Sequence, residues 1–132
     1  MVARGLLDTS VWIAAESGRS LSTELLPAEA AISVVTVGEL AAGVLAAVDA
    51  RTRSLRLRTL NDVADIEALP VDVDVARRWA ELCVQLRSVG RRAPANDVWI
   101  AATALVHGLP IVTQDDDFAP LADVVELAVI RV

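Results

Sequence analysis

Ala30-Ala31-Ile32-Ser33 runs straight into Val34-Val35-Thr36-Val37-Gly38-Glu39-Leu40 and on to Val48, and this stretch decides the fold. Its Ala, Val and Leu content invites a membrane reading. Glu39 near its middle argues against one, because a charge at the centre of a spanning helix costs roughly 2.5–3.5 kcal/mol. Ser33 and Thr36 add to that cost. The stretch reads instead as a buried strand, Ala30 to Ser33, feeding a helix from Val35 to Val48. Val37, Leu40, Val44 and Val48 recur at spacings of three and four and predict one apolar face.

The same strand-then-helix grammar extends in both directions. Gly5 to Asp8 reads as a strand ending in an acid. Ser10 is placed to cap a helix over Val11 to Ala15, with Gly18 beyond its end. A short helix over Leu21 to Leu26 stops at Pro27. Asp49 to Ala64 is a helix with Leu57, Leu60 and Ala64 on one face. Ile66 to Leu69 is a third strand before Pro70. Asp74 to Val89 is a helix with Val75, Trp79, Leu82 and Leu86 inward. Asn96 is expected to cap a helix from Asp97 to His107, with Gly108 as its terminator. Pro110 to Thr113 is a fourth strand, and Val125 to Val129 a last one. Strands alternating with helices imply an α/β fold: a mostly parallel sheet of four to five strands with helices on both faces. No linker or repeat divides the chain, so residues 1–132 are expected to form one domain.

Composition narrows the chemistry. All twelve basic residues are Arg; Lys and Tyr are absent, and there is one His and one Cys. Schiff-base chemistry and a Walker-type phosphate cradle both need Lys and are excluded. One Cys, Cys83, rules out an internal disulfide framework and makes a reducing, cytoplasmic location the expectation. No targeting segment is visible. Catalysis must rest on carboxylates, hydroxyls, Arg or the backbone.

The carboxylates are placed to do so. Ligands of open α/β sheets bind beyond the carboxyl ends of the strands. Asp8 closes the first strand, and Asp115 and Asp117 follow the fourth. Asp97 opens the helix leading into it. Glu39 lies about one and a half turns into the helix after the second strand. Taken singly, Asp97 reads as a first-turn acid on a helix dipole, and Asp115 to Asp117 as a solvated loop. Glu39 resists that reading, since its neighbours are apolar and an unpaired buried carboxylate is costly. Gathered at one sheet edge, these groups would repel one another unless a cation neutralised them. Oxygen-only ligands favour a hard ion, Mg²⁺ or Mn²⁺.

Four blocks carry a resemblance: Leu7-Asp8-Thr9-Ser10; Gly38-Glu39-Leu40 with Gly43; Asn96-Asp97 through Ile100-Ala101-Ala102-Thr103-Ala104; and Thr113-Gln114-Asp115-Asp116-Asp117-Phe118. In order and spacing the chain resembles the PIN-domain family, in detail the VapC-type toxins of type II toxin–antitoxin systems. The resemblance implies a PIN-like α/β/α sandwich and a Mg²⁺-dependent (or Mn²⁺-dependent) endoribonuclease. It assigns metal ligation and catalysis to Asp8, Glu39, Asp97 and Asp115, and a further metal contact to Asp117. Thr9, Thr113 and Asn96 match supporting positions. It also implies a cognate VapB-type antitoxin and a homodimer, and the polar groups in the Ala30 to Val48 stretch make no membrane partner the expectation. The Ala- and Leu-rich helices around Leu40 to Val48 and Leu55 to Leu60 carry spare apolar surface in keeping with such partners.

A net charge of −6 sits awkwardly with an RNA substrate. Setting aside the five site acids leaves −1, and two bound divalent ions would leave −2. Arg91 and Arg92, just before Asp97, are the best candidates to hold substrate phosphates. Arg51, Arg53, Arg56 and Arg58 form a second basic group. Competing readings are a PIN-like nuclease of RNA processing without an antitoxin, and a non-catalytic acid-lined binding module.

Overall fold

Leu6 and Leu7, Ala31 and Ile32, and Ile111 and Val112 are consecutive pairs on three central strands, and every one of the six side chains is buried. Alternate residues of a strand point to opposite faces, so both faces of this sheet are covered. The computed structural model describes residues 2–132. Its elements are β1 (Arg4–Leu7), α1 (Thr9–Glu16), β2 (Glu29–Ser33), α2 (Val34–Ala46), α3 (Ala50–Val63), β3 (Ala68–Leu69), α4 (Val73–Ser88), α5 (Ala95–His107), β4 (Ile111–Thr113), α6 (Ala119–Ala122) and β5 (Val129–Arg131). A single 3-10 turn, Thr23–Leu25, stands where a short helix was expected.

The five strands are ordered β3-β2-β1-β4-β5, and every pairing is parallel. On one face Leu6, Ala31 and Ile111 pack with Val75, Leu82, Ile100, Ala101 and Ala104 of α4 and α5. On the other, Leu7 and Val112 pack with Val11 of α1, and Ile32 with Leu40 and Val63 of α2 and α3. The chain order reverses between β1 and β4, so the crevice at their carboxyl ends is the topological switch point. Among the described residues no helix is long and apolar enough to cross a membrane.

Several local expectations need correction. The first helix starts one residue before Val11's predecessor: Asp8 takes the N-cap position and Thr9 is already helical. Ser10 therefore lies inside the helix, and its hydroxyl serves another purpose described below. The fifth helix starts at Ala95 after Pro94, so Asn96 is its second residue and not its cap. Pro at the cap position and Ala behind it leave Asn96 exposed, with no hydrogen bond among the described residues. The last strand is Val129–Arg131, not Val125 to Val129; the preceding segment holds the short α6 and a turn. In α3 the inward residues are Thr59 and Val63, with Leu60 packed against the core as expected, while Leu57 and Ala64 are exposed. Arg53 and Arg56 donate to the carbonyls of Ala47 (3.0 Å) and Gly43 (2.7 Å). These are orphan acceptors at the C-terminal end of α2, where cations are favoured. Two of the four α3 arginines thus hold the α2–α3 hairpin together.

Gly5 marks the tightest approach in the sheet. A Cβ there would lie 2.9 Å from Val112 Cγ2 and 3.3 Å from Pro27 Cγ. Gly5→Ala is expected to destabilise the fold by about 1–3 kcal/mol, the usual cost of overpacking. Urea unfolding measures this; an unchanged midpoint would show that the strand can shift freely.

Candidate functional site

Two strand-to-helix junctions without loops set the site. β1 passes into α1 through Asp8 alone, and β2 passes into α2 with no intervening residue. Ser33 caps α2 by accepting from the Val35 N–H at 3.0 Å. Thr36, Glu39 and Gly43 then follow at helical spacing on one face. Thr36 is buried, and Glu39 is half-buried beside it. The Thr9 hydroxyl donates to Glu39 Oε1 at 2.7 Å and lies 3.2 Å from Thr36 Oγ1. The first turn of α1 therefore fixes the rotamer of a carboxylate on α2.

Asp8 is only 4% exposed. Its Oδ2 accepts from Ser10 Oγ at 2.6 Å and from Thr113 Oγ1 at 2.7 Å. Burial holds its pKa above the ordinary carboxylate value; the two hydroxyls work against that, and the charge of Asp115 adds to it. Thr113 Oγ1 lies 3.3 Å from Asp115 Oδ1, and Asp115 Oδ1 accepts from the Asp117 N–H at 3.1 Å. Ser10 Oγ also accepts from the Gln114 N–H at 3.0 Å. The β1–α1 junction and the loop after β4 are thereby stitched together across the switch point. Sequence reading assigned Ser10 to capping and so missed this contact. The signal available was its position two residues beyond a strand-terminal acid.

Three residues separate the end of α5 from the start of β4, so its C-terminus lies at the amino edge of the sheet and its N-terminus at the carboxyl edge. That orientation brings Asp97, in its first turn, to the same place. Burial pushes the Asp97 pKa up to about 7, reinforced by the charges of Asp8, Asp117, Asp115 and Glu39. A helix N-terminus would favour the ionised form by about 0.3–1 kcal/mol. Here burial and four like charges override it. Asp117 is also raised, by desolvation and by the neighbouring Asp115 and Asp116. Asp116 itself turns outward to Arg131, at 2.6 Å.

All five sequence-nominated acids thus share one electrostatic neighbourhood, with Thr9 and Thr113 among them. Among the described residues, however, no three such side chains stand close enough together to grip an ion as they are. The hydroxyls explain part of this, since Asp8 and Glu39 each direct an oxygen to a Thr or Ser. The donor set is nonetheless hard oxygen throughout, and its mutual repulsion is what a divalent cation relieves. Asn96 contributes nothing visible to the cluster. Arg91 is exposed and pairs with Asp123 at 2.6 Å, tying the α4–α5 loop to the segment after α6; Arg92 is exposed beside it.

The PIN domain family model matches residues 5–124. The chain is 54% identical over 130 residues to Ribonuclease VapC5 of Mycobacterium tuberculosis (strain ATCC 25618 / H37Rv), covering 98% of this chain and 96% of that one. It is 44% identical over 123 residues to Ribonuclease VapC4 of the same strain, covering 93% and 95%. It superposes with a TM-score of 0.91 and 50% identity on a chain from the crystal structure of a member of the VapBC family of toxin-antitoxin systems, VapBC-5, from Mycobacterium tuberculosis, covering 98% of this chain and 99% of that one. With strand-terminal acids at the switch point of a parallel five-stranded sheet and a match over nearly its whole length, this chain belongs to the PIN-domain family.

Proposed function

We propose that the chain is a metal-dependent endoribonuclease and the toxin of a VapBC-type toxin–antitoxin pair, acting as one nuclease domain in the cytoplasm. The observation that carries the chemistry is the gathering of carboxylates from the β1–α1 junction, α2, α5 and the loop after β4 around Asp97, whose pKa burial and these like charges together push up to about 7. Asp8, Glu39, Asp97 and Asp115 would hold the metal, with Asp117 at its margin. Their oxygen-only chemistry suits Mg²⁺, with Mn²⁺ as a substitute. A bound divalent ion supplies a water of lowered pKa and screens charge at the scissile phosphate.

The chain's own residues do the rest. Thr9 holds Glu39, and Ser10 and Thr113 hold Asp8, so the acids are oriented before substrate arrives. A carboxylate kept half-protonated near neutral pH is suited to passing a proton to or from a water. Arg91 and Arg92 present positive charge at the same edge for the RNA backbone. Hydrolysis needs no protein nucleophile, in keeping with a chain that has no Lys and one His.

The partner assignment rests on the VapBC description of the 50%-identical structure. Leu45 is 84% exposed and Val48 94%, at the tip of the α2–α3 hairpin, leaving apolar surface for the antitoxin and for a second copy.

Induced expression in a bacterial host, with sequencing of RNA ends, tests the reading. New cleavage ends and growth arrest are expected, both lost in Asp8→Asn and both suppressed by co-expression of the antitoxin. No cleavage by purified chain in Mg²⁺ or Mn²⁺ would overturn it.

A further inference from the structure

A hollow of about 550 Å³ lies away from the acids. It opens where α4 ends and α5 begins, at the same carboxyl edge, and Trp79, Cys83, Arg87, Arg91, Arg92 and Ala93 line it. Its size falls within the range of small-ligand sites, roughly 300–1,000 Å³. Trp79 backs onto Trp99, with ring centroids 4.5 Å apart and planes within 7°. The stack restrains the Trp79 ring. Three of the twelve arginines of an acidic chain ring this one hollow. Among the described residues only Arg91 of the three is ion-paired, to Asp123; Arg87 and Arg92 have no carboxylate partner.

An apolar, aromatic floor under a rim with two unpaired arginines matches one chemistry closely: an unstacked nucleobase with its phosphate. Proteins that read single-stranded RNA splay bases out and stack them on aromatic or guanidinium planes. We infer that this cavity is a nucleotide subsite, taking one unpaired base of the RNA strand against the Trp79 wall while Arg87 and Arg92 hold the adjoining phosphate. The inference rests on the ribonuclease reading and deepens it. The acids act on a backbone that is the same in every RNA, so the subsite, beside them, is where sequence preference is set.

The test separates binding from cleavage. Full-length Asp8→Asn protein in EDTA is titrated with a labelled single-stranded RNA, in which each nucleotide in turn is made abasic. One abasic position is expected to weaken binding about tenfold, the scale of one stacked base. That position's effect should vanish in Ala93→Phe, which fills the hollow from its loop. Arg87→Ala with Arg92→Ala, both at exposed sites, should lower the salt slope of log K by about 1.4, two single-strand phosphate contacts. Circular dichroism confirms that each variant is folded. A flat abasic scan, or an unchanged salt slope in the double Arg variant, would overturn the inference. So would sedimentation showing that Ala93→Phe splits a dimer into monomers, because the hollow would then be a subunit contact. If the subsite binds RNA but no metal supports cleavage, the ribonuclease reading fails while the subsite stands.

Discussion

Asp97→Asn is expected to lower Mg²⁺-supported RNA cleavage by about 10²–10³-fold, the scale of removing one electrostatic group from a phosphoryl-transfer site. The same substitution should stabilise the metal-free protein at pH 8. Both effects come from one cause. Asp97 is half-buried, and burial, reinforced by the charges of Asp8, Asp117, Asp115 and Glu39, raises its pKa to about 7. At pH 8 it is ionised against four like charges, and asparagine of the same shape removes that repulsion. A variant that is inactive yet more resistant to urea is the signature of a side chain kept for chemistry at the expense of the fold. If Asp97→Asn is inactive and also less stable at pH 8, the side chain is a structural member and its place in the metal site is wrong.

The second large effect is on stability against pH. The folded chain retains the Asp97 proton up to about pH 7, while an unfolded chain releases it near 3.8. Between those values the folded state binds more protons, so its stability falls as pH rises through that window. Asp8, also raised by burial, acts in the same direction. The metal-free protein is therefore expected to be more stable at pH 5 than at pH 8, opposite to a protein whose acids are salt-bridged. A saturating divalent ion should reverse the order, since it takes the proton's place on ionised carboxylates and adds about 2.7 kcal/mol at a hundred times its Kd. Urea melts at the two pH values, in EDTA and in Mg²⁺, measure both parts. Equal stability at pH 5 and 8 in EDTA would show that the acids do not interact; no gain with Mg²⁺ or Mn²⁺ at pH 8 would show that they do not bind.

What was legible beforehand follows a physical line. A central parallel strand is buried on both faces, so Gly5 to Leu7 and Ala30 to Ser33 stand out as short apolar runs ended by polar groups. Because such strands deliver their last residue to the binding edge, Asp8 and the acids after β4 could be placed there from chain position; Glu39 and Asp97 stand on helices and needed the helix geometry as well. The α4 face of Val75, Trp79, Leu82 and Leu86 was readable from its period. Features set by contacts between distant segments were not. Arg53 and Arg56 look like solvated charges until α2 ends beside them. Ser10 looks like a cap until the Gln114 backbone arrives at its hydroxyl. The Trp79–Trp99 stack joins residues on two helices with no pattern to connect them. Val125 was read as strand because its neighbours are apolar, yet the ladder to β4 forms further on, at Val129–Arg131, where pairing with Ile111–Thr113 is available.

The stacked pair has an optical consequence. With three Trp and no Tyr, the chain's near-ultraviolet emission comes essentially from indole. Rings in such close, nearly parallel stacking are electronically coupled, and one of them forms the wall of the Arg-rimmed hollow. The protein thus carries a built-in chromophore at that place, and near-ultraviolet dichroism can follow what enters it without any dye.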